Sequence, residues 1–292
     1  MSQMTRWVLI IAVGSLTTSC KSSDGAPNTG DGGGMLPEGC SSSSDDLISD
    51  FKSDNSLNPA DGRQGGWYTY GDPLGSFANP GGYDIDAAMG GPCSGAGSLR
   101  VKAIGFGEWG AATGVDFKPR SPAVDGGLAP KMTYDASKYK GIAFWIRSAA
   151  PLEGVQVGFP DLYTDGAAPP HEMADAFDPT NMCTACTCIY SAGSWQNCSP
   201  YMVQFGKKGD GGAATSFARY MDITIDTTWR RIEVLFADTR QDPGNLGYKA
   251  PGDKLATDKL TGMALQVNPN YDVTPKMARD FEIWIDDVVF IR

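Results

Sequence analysis

FEIWIDDVVFIR, residues 281–292, reads as a strand that changes step halfway. Phe281, Ile283 and Ile285 alternate with Glu282, Trp284 and Asp286, the period-2 pattern of a strand with one face buried. Past Asp286 and Asp287 the apolar residues Val288 and Phe290 fall on the opposite parity. One extra residue in the ladder, a β-bulge, accounts for such a slip.

The same alternation recurs upstream. In SLRVKAIGF, Leu99, Val101 and Ala103 alternate with Arg100 and Lys102. GVQVGF sets Val155, Val157 and Phe159 against Gln156; YMDITID sets Met221, Ile223 and Ile225 against Asp222, Thr224 and Asp226. RRIEVLF contributes Ile232, Val234 and Phe236, and GMALQVNP contributes Met263, Leu265 and Val267. GIAFWIRS alone is apolar on both faces, as a central strand should be. Helical periodicity is nearly absent; PPHEMADAF supplies at most a short helix. Connections such as GDPLGSFANPGGYD are rich in Gly, Pro and Asp, in keeping with 37 Gly and 19 Pro in the chain. The pattern predicts an all-β, two-sheet antiparallel β-sandwich of jelly-roll type with long loops. With no internal repeat and no second linker, it runs as one domain over residues 45–292 and is read as a monomer.

The N-terminus predicts export. Arg6 precedes an apolar run, Trp7–Val13, and small residues lead to Cys20, so residues 1–19 read as a secretory signal. The run is too short to span a bilayer, which takes about 20 apolar residues. The small-residue approach to Cys20 resembles the lipobox of bacterial lipoproteins, with Thr17 where that motif prefers an aliphatic residue. The resemblance implies a lipid on Cys20 and membrane attachment through that lipid alone. Residues 20–44 are dominated by Gly, Ser, Asp and Pro and read as a flexible tether.

Export settles how the remaining cysteines are read. In an oxidising compartment an even set of thiols forms disulfides by default. Cys40 pairs with Cys93 in the simplest scheme, and Cys183, Cys186, Cys188 and Cys198 pair among themselves in one of three ways. Their C-x2-C-x-C-x9-C spacing fits no common zinc pattern.

Chemistry-bearing motifs are few. The formal charge of −10 argues against a nucleic-acid partner and disfavours strongly anionic polymers. His171 is the only histidine, and no G-x-S-x-G elbow, H-E-x-x-H, P-loop or dinucleotide fingerprint occurs. Seven Trp and eleven Tyr are more informative. Sugar rings stack their C–H faces on flat aromatics while amide, carboxylate and guanidinium groups bond their hydroxyls. Tyr68 and Tyr70 share a face in GGWYTYGD, with Trp67 on the other. Trp109 in GEWGAATG and Trp195 in GSWQNC sit on loops that would leave the rings accessible. These four rings are candidates for stacking, and Gln266 and Arg147 for hydroxyl recognition. On polar-facing parity, Trp145 and Arg147, Gln266, and Trp284 beside Glu282 are read as lining a second sheet face.

DLISDFKSDN, GRQGGWYTYGD, YKGIAFWIRS, WRRIEVLFADTRQ and FEIWIDDVVF occur in that order. Together they resemble the strand signatures of carbohydrate-binding β-sandwich modules of the galactose-binding-like superfamily, over Asp46 to Phe290. The resemblance implies a non-catalytic jelly roll that binds a polysaccharide or glycoconjugate at the cell surface. It also implies a structural calcium, whose matching donors are Asp50, Asp54, Asp286 and Asp287, with Lys52 departing from an acidic residue in relatives. Two other readings compete: a glycan lyase or hydrolase on the same scaffold, and an adhesive surface protein whose aromatics are core.

Overall fold

A computed structural model describes residue 40 and residues 45–93, 97–120, 131–165, 189–191, 194–196, 200–205, 219–241, 254–269 and 278–292. The strands are β1 (Leu47–Ser49), β2 (Trp67–Gly71), β3 (Ser76–Phe77), β4 (Asp84–Asp86), β5 (Ser98–Phe106), β6 (Ala111–Asp116), β7 (Gly141–Ser148) and β8 (Val155–Phe159). There follow β9 (Ile189–Ser191), β10 (Ser194–Gln196), β11 (Tyr201–Phe205), β12 (Arg219–Met221), β13 (Arg230–Leu235), β14 (Gly262–Val267) and β15 (Arg279–Ile291).

Two sheets form an all-β sandwich. The first runs β13-β7-β15-β5-β3, with β1 paired to β15 and β4 to β5; the second runs β12-β11-β8-β14-β6-β2. Pairing is antiparallel except between β11 and β12, which run parallel. A separate β9–β10 hairpin completes the set. The central strands are those with the longest apolar runs, β7 and β15, because both of their edges are paired.

The core lies between the sheets and is supplied by the inward parity of each strand. Leu99, Val101, Ile142, Phe144, Ile146, Ile283 and Ile285 come from the first sheet, and Val155, Val157, Phe159, Val203, Phe205, Leu265 and Trp67 from the second, all at most 1% exposed. The phase slip in β15 is present. Its pairing with β7 shifts between Asp286 and Val289, and Asp287 takes a positive φ of 45° at the bulge. YMDITID is shorter as a strand than its alternation suggests. Only its start lies in β12, and Ile225 makes a single bridge to Leu152. Their alternation reflects half-burial without a ladder.

Arg63, fully buried, fastens the start of the domain. Its guanidinium donates to the carbonyls of Asp45, Leu47 and Asn58 and to the Tyr134 hydroxyl, and it lies 5.5 Å from the Phe290 ring centroid. Cys40 and Cys93 form a disulfide. Cys20, Cys183, Cys186, Cys188, Cys198, His171 and the segment PPHEMADAF lie outside the described residues.

Candidate functional site

The outward parity of the second sheet builds one continuous face. Register places Tyr70, Ala112, Gln266, Gln156 and Gln204 in a single row across β2, β6, β14, β8 and β11. The next row is Tyr68, Gly114, Ala264, Gly158 and Met202. Five strands at about 4.8 Å spacing make each row roughly 19 Å long.

Aromatic rings occupy one side of this face. Tyr68 and Tyr70 have ring centroids 5.9 Å apart, and Tyr70 and Trp109 6.0 Å. The three rings form an unbroken run whose successive planes tilt by 35° and 38°. Gly114 lies opposite Tyr68 in the ladder, and a Cβ there would stand at ordinary contact distance, 3.6 Å, from the Tyr68 ring. Tyr70 is 40% exposed as a residue, yet burial pushes its phenol up to about 12, so its hydroxyl end is packed. Burial and then the adjacent Asp116 carboxylate push the Tyr68 phenol above its ordinary range, which keeps it a neutral donor.

Trp109 reaches this run because its loop is anchored from below. One oxygen of Asp72 accepts the backbone N–H groups of Glu108, Trp109 and Gly110 at 2.8, 3.1 and 2.9 Å, and the other accepts Leu74 N–H. Burial pushes the Asp72 carboxyl up, but these amides outweigh it and hold it below the usual carboxylate value. Gly110, at φ 101°, completes the turn; a Cβ there would overlap the Val267 carbonyl.

Amides fill the middle of the row. Gln266 donates to the Trp109 carbonyl at 3.0 Å and to Asn268 at 2.8 Å, and Gln156 donates to Gln204 at 3.2 Å. Gln266 and Gln156 are half-buried on this face, and Gln204 is buried at its end. At the Tyr68 end stands an ionic group. Lys131 bridges Asp116 at 2.9 Å and Asp165 at 3.1 Å. Tyr68 donates its hydroxyl to Asp116 and Thr261 donates to Asp165.

The expected residues therefore divide. Tyr68, Tyr70, Trp109 and Gln266 come together. Arg147 does not join them: it lies on β7, on the outer face of the opposite sheet, with its guanidinium 5.2 Å from the Trp284 ring centroid. It donates to the Met89 sulfur, and Arg100 stacks on the same Trp284 ring. A saccharide on the Tyr70 row cannot reach it through the sandwich. Trp195 is on β10, and its side chain lies outside the described residues. Gln156, Gln204, Asp116, Lys131 and Asp165 were not singled out from the sequence. Gln156 occupies the same polar parity in β8 as Gln266 in β14, but the pairing of those two strands has no local signal.

Three of the four aspartates expected to hold calcium make other contacts. Asp50 pairs with Lys52 at 2.8 Å, and Asp54 accepts the Ser56 N–H. Asp286 accepts the N–H groups of Gly91 and Asp287. Among the described residues no group of three or more His, Cys, Asp or Glu could hold a metal ion. The Lys52 ammonium on Asp50 opposes a cation at that one carboxylate.

A concavity of about 330 Å³ lies elsewhere, lined by Ile104, Pro151, Leu152 and Phe281. Its charged rim is already paired, Lys102 with Glu282 and Asp280 with the Gly105 N–H. The aromatic and amide face is the better candidate.

No protein-family model matches the chain, and neither does any curated protein. Solved structures do. The family 11 carbohydrate-binding module of a cellulosomal cellulase of Clostridium thermocellum is 14% identical, over 84% of this chain and 92% of that one, at a TM-score of 0.44. A family 11 module of the same organism, in complex with a β-1,3-1,4-mixed-linked tetrasaccharide, is 12% identical over 84% and 94%, also at 0.44. A family 30 module of a Clostridium thermocellum cellulase is 12% identical over 77% and 90%, at 0.39. These neighbours are carbohydrate-binding modules with a β-sandwich fold.

Proposed function

We propose that this chain is a surface-tethered carbohydrate-binding protein whose second sheet holds a polysaccharide or glycoconjugate without turning it over. The observation that carries the reading is the run Tyr68–Tyr70–Trp109 beside the amide row Gln266–Gln156–Gln204. Stacking rings along one side and hydroxyl-bonding amides along the other are the two things a sugar chain needs. An extended face suits a polymer better than a closed cavity would. A lipid on Cys20 and the tether behind it would hold this face away from a membrane surface.

The test is retention of the full chain on immobilised polysaccharides, with Tyr70→Ala and Trp109→Ala as variants. Each substitution should weaken retention about 10- to 100-fold, the loss expected when a central aromatic anchor is removed. Neither should move the melting transition much, because the rings lie outside the core. Equal loss of retention and of folding would make them core residues and end the reading.

A further inference from the structure

The outer face of the first sheet carries a second group of residues, on the opposite side of the sandwich from the platform. Register sets Arg147, Trp284, Arg100 and Asp84 in one row across β7, β15, β5 and β4, and Arg231, Trp145 and Asp286 in the next. Most charges here are committed. Arg100 pairs with Glu282 and Asp84, Lys102 with Glu282, and Arg231 with Glu233. Asp86 accepts the Trp284 indole N–H, and Asp286 accepts the N–H groups of Gly91 and Asp287. Carboxylates at least match cations, so this face has no positive field to draw an anion from a distance. Recognition there has to come from direct contact.

Arg147 is the cation left over. Among the described residues no carboxylate meets it: its guanidinium stacks on the Trp284 ring, and Nη1 donates to the Met89 sulfur at 3.1 Å. Nε is buried and has no acceptor in the protein, so the Nε/Nη2 edge of the fork is unmatched. The indole face and the weak sulfur acceptor offset part of the cost of shielding this charge, but neither is a counter-charge. Two residues back along the strand, about 7 Å away, Trp145 Nε1 is also buried without an acceptor. Both residues are half-buried, on the outward side of β7.

We infer that Arg147 and Trp145 form a second site, on the first sheet, for a sugar acid: Arg147 receives the carboxylate along its Nε/Nη2 edge, and Trp145 donates to a hydroxyl of the same sugar. A planar guanidinium edge matches a carboxylate with two parallel hydrogen bonds. One such fork supplies one positive charge, which suits a carboxylate better than a phosphate. The Trp145 indole adds ring surface for C–H groups and an N–H for a hydroxyl, a combination that suits a sugar better than an acidic peptide. The choice of a sugar rests on the saccharide reading above; the carboxylate does not.

The test is isothermal titration of the full chain at about 150 mM salt with trigalacturonate and with galactotriose of the same linkage, its uncharged counterpart. The parent should bind trigalacturonate about tenfold or more tighter than galactotriose. Arg147→Lys keeps the charge but not the fork, and should lose about tenfold in trigalacturonate affinity with little change in melting. Tyr70→Ala should leave that affinity unchanged. No binding of trigalacturonate, equal affinity for the two trisaccharides, or an Arg147→Lys variant that binds like the parent would overturn the inference, and retention of a polysaccharide by the second sheet would survive any of these. Loss of trigalacturonate binding in Tyr70→Ala would overturn it too, by moving the site to the platform. Hexaglutamate bound as tightly as trigalacturonate, and weakened equally by Arg147→Lys, would overturn the sugar assignment in favour of a protein partner.

Discussion

Asp72 has no contact with the proposed ligand, yet one of its oxygens holds three consecutive amides of the loop that carries Trp109. Its folded carboxyl lies below the ordinary value, so its contribution is fully present above the unfolded value of about 3.9 and is lost as pH falls through the folded one. Asp72→Asn should therefore be less stable than the parent at pH 7 by about 1–2 kcal/mol, the scale of lost charge-assisted hydrogen bonds. That gap should close as pH falls through the lowered folded value, below which the parent carboxyl is also neutral. Urea melts of both proteins across this range check it, and a gap independent of pH would mean the amides do not read the charge. None of this was legible in the sequence, where Asp72 is one turn aspartate among many. Trp109 was singled out for the glycines on both sides of it, and in the structure it is half-buried against Tyr70. Tyr68 and Tyr70 were legible from parity alone. Arg147 and Gln266 share polar parity but lie on different sheets, because parity says which side of a strand a residue takes and nothing about which sheet the strand joins.

At the level of the strand, the bulge in β15 was readable from two adjacent aspartates and a change of apolar phase. What could not be read was its backbone: Asp287 sits at φ 45°, a region that short polar side chains tolerate and β-branched ones do not. Asp287→Asn and Asp287→Val separate that backbone requirement from the side chain's own contacts. The valine variant should be the less stable by about 1–2 kcal/mol in denaturant titrations. Equal losses would place the effect in the carboxylate's contacts. Most strands were legible for the same reason as β15, since a half-buried strand must alternate. The platform was not, because it exists only where β2, β6, β14, β8 and β11 lie in register, and Lys131 and Asp165 come to it from connections with no period of their own.

Across the molecule, the predicted Cys40–Cys93 pair closes a span of 53 residues and returns the start of the domain to the connection between β4 and β5. That connection also donates Gly91 N–H to Asp286, at the bulge, while β1 pairs with the same strand two residues further on. The staple, the first strand and the last strand thus brace one side of the sandwich, the first sheet. The candidate ligand face belongs to the second sheet, which the staple does not touch. Opening the bond releases a loop whose closure is worth up to about 4 kcal/mol in the chain-entropy account. Cys40→Ser/Cys93→Ser should accordingly unfold at lower denaturant while its retention on an immobilised polysaccharide, measured where the variant is still folded, stays at the parent level. Loss of retention in the folded variant would mean that the two sheets are coupled through the core, and that the platform depends on how firmly the opposite sheet is held.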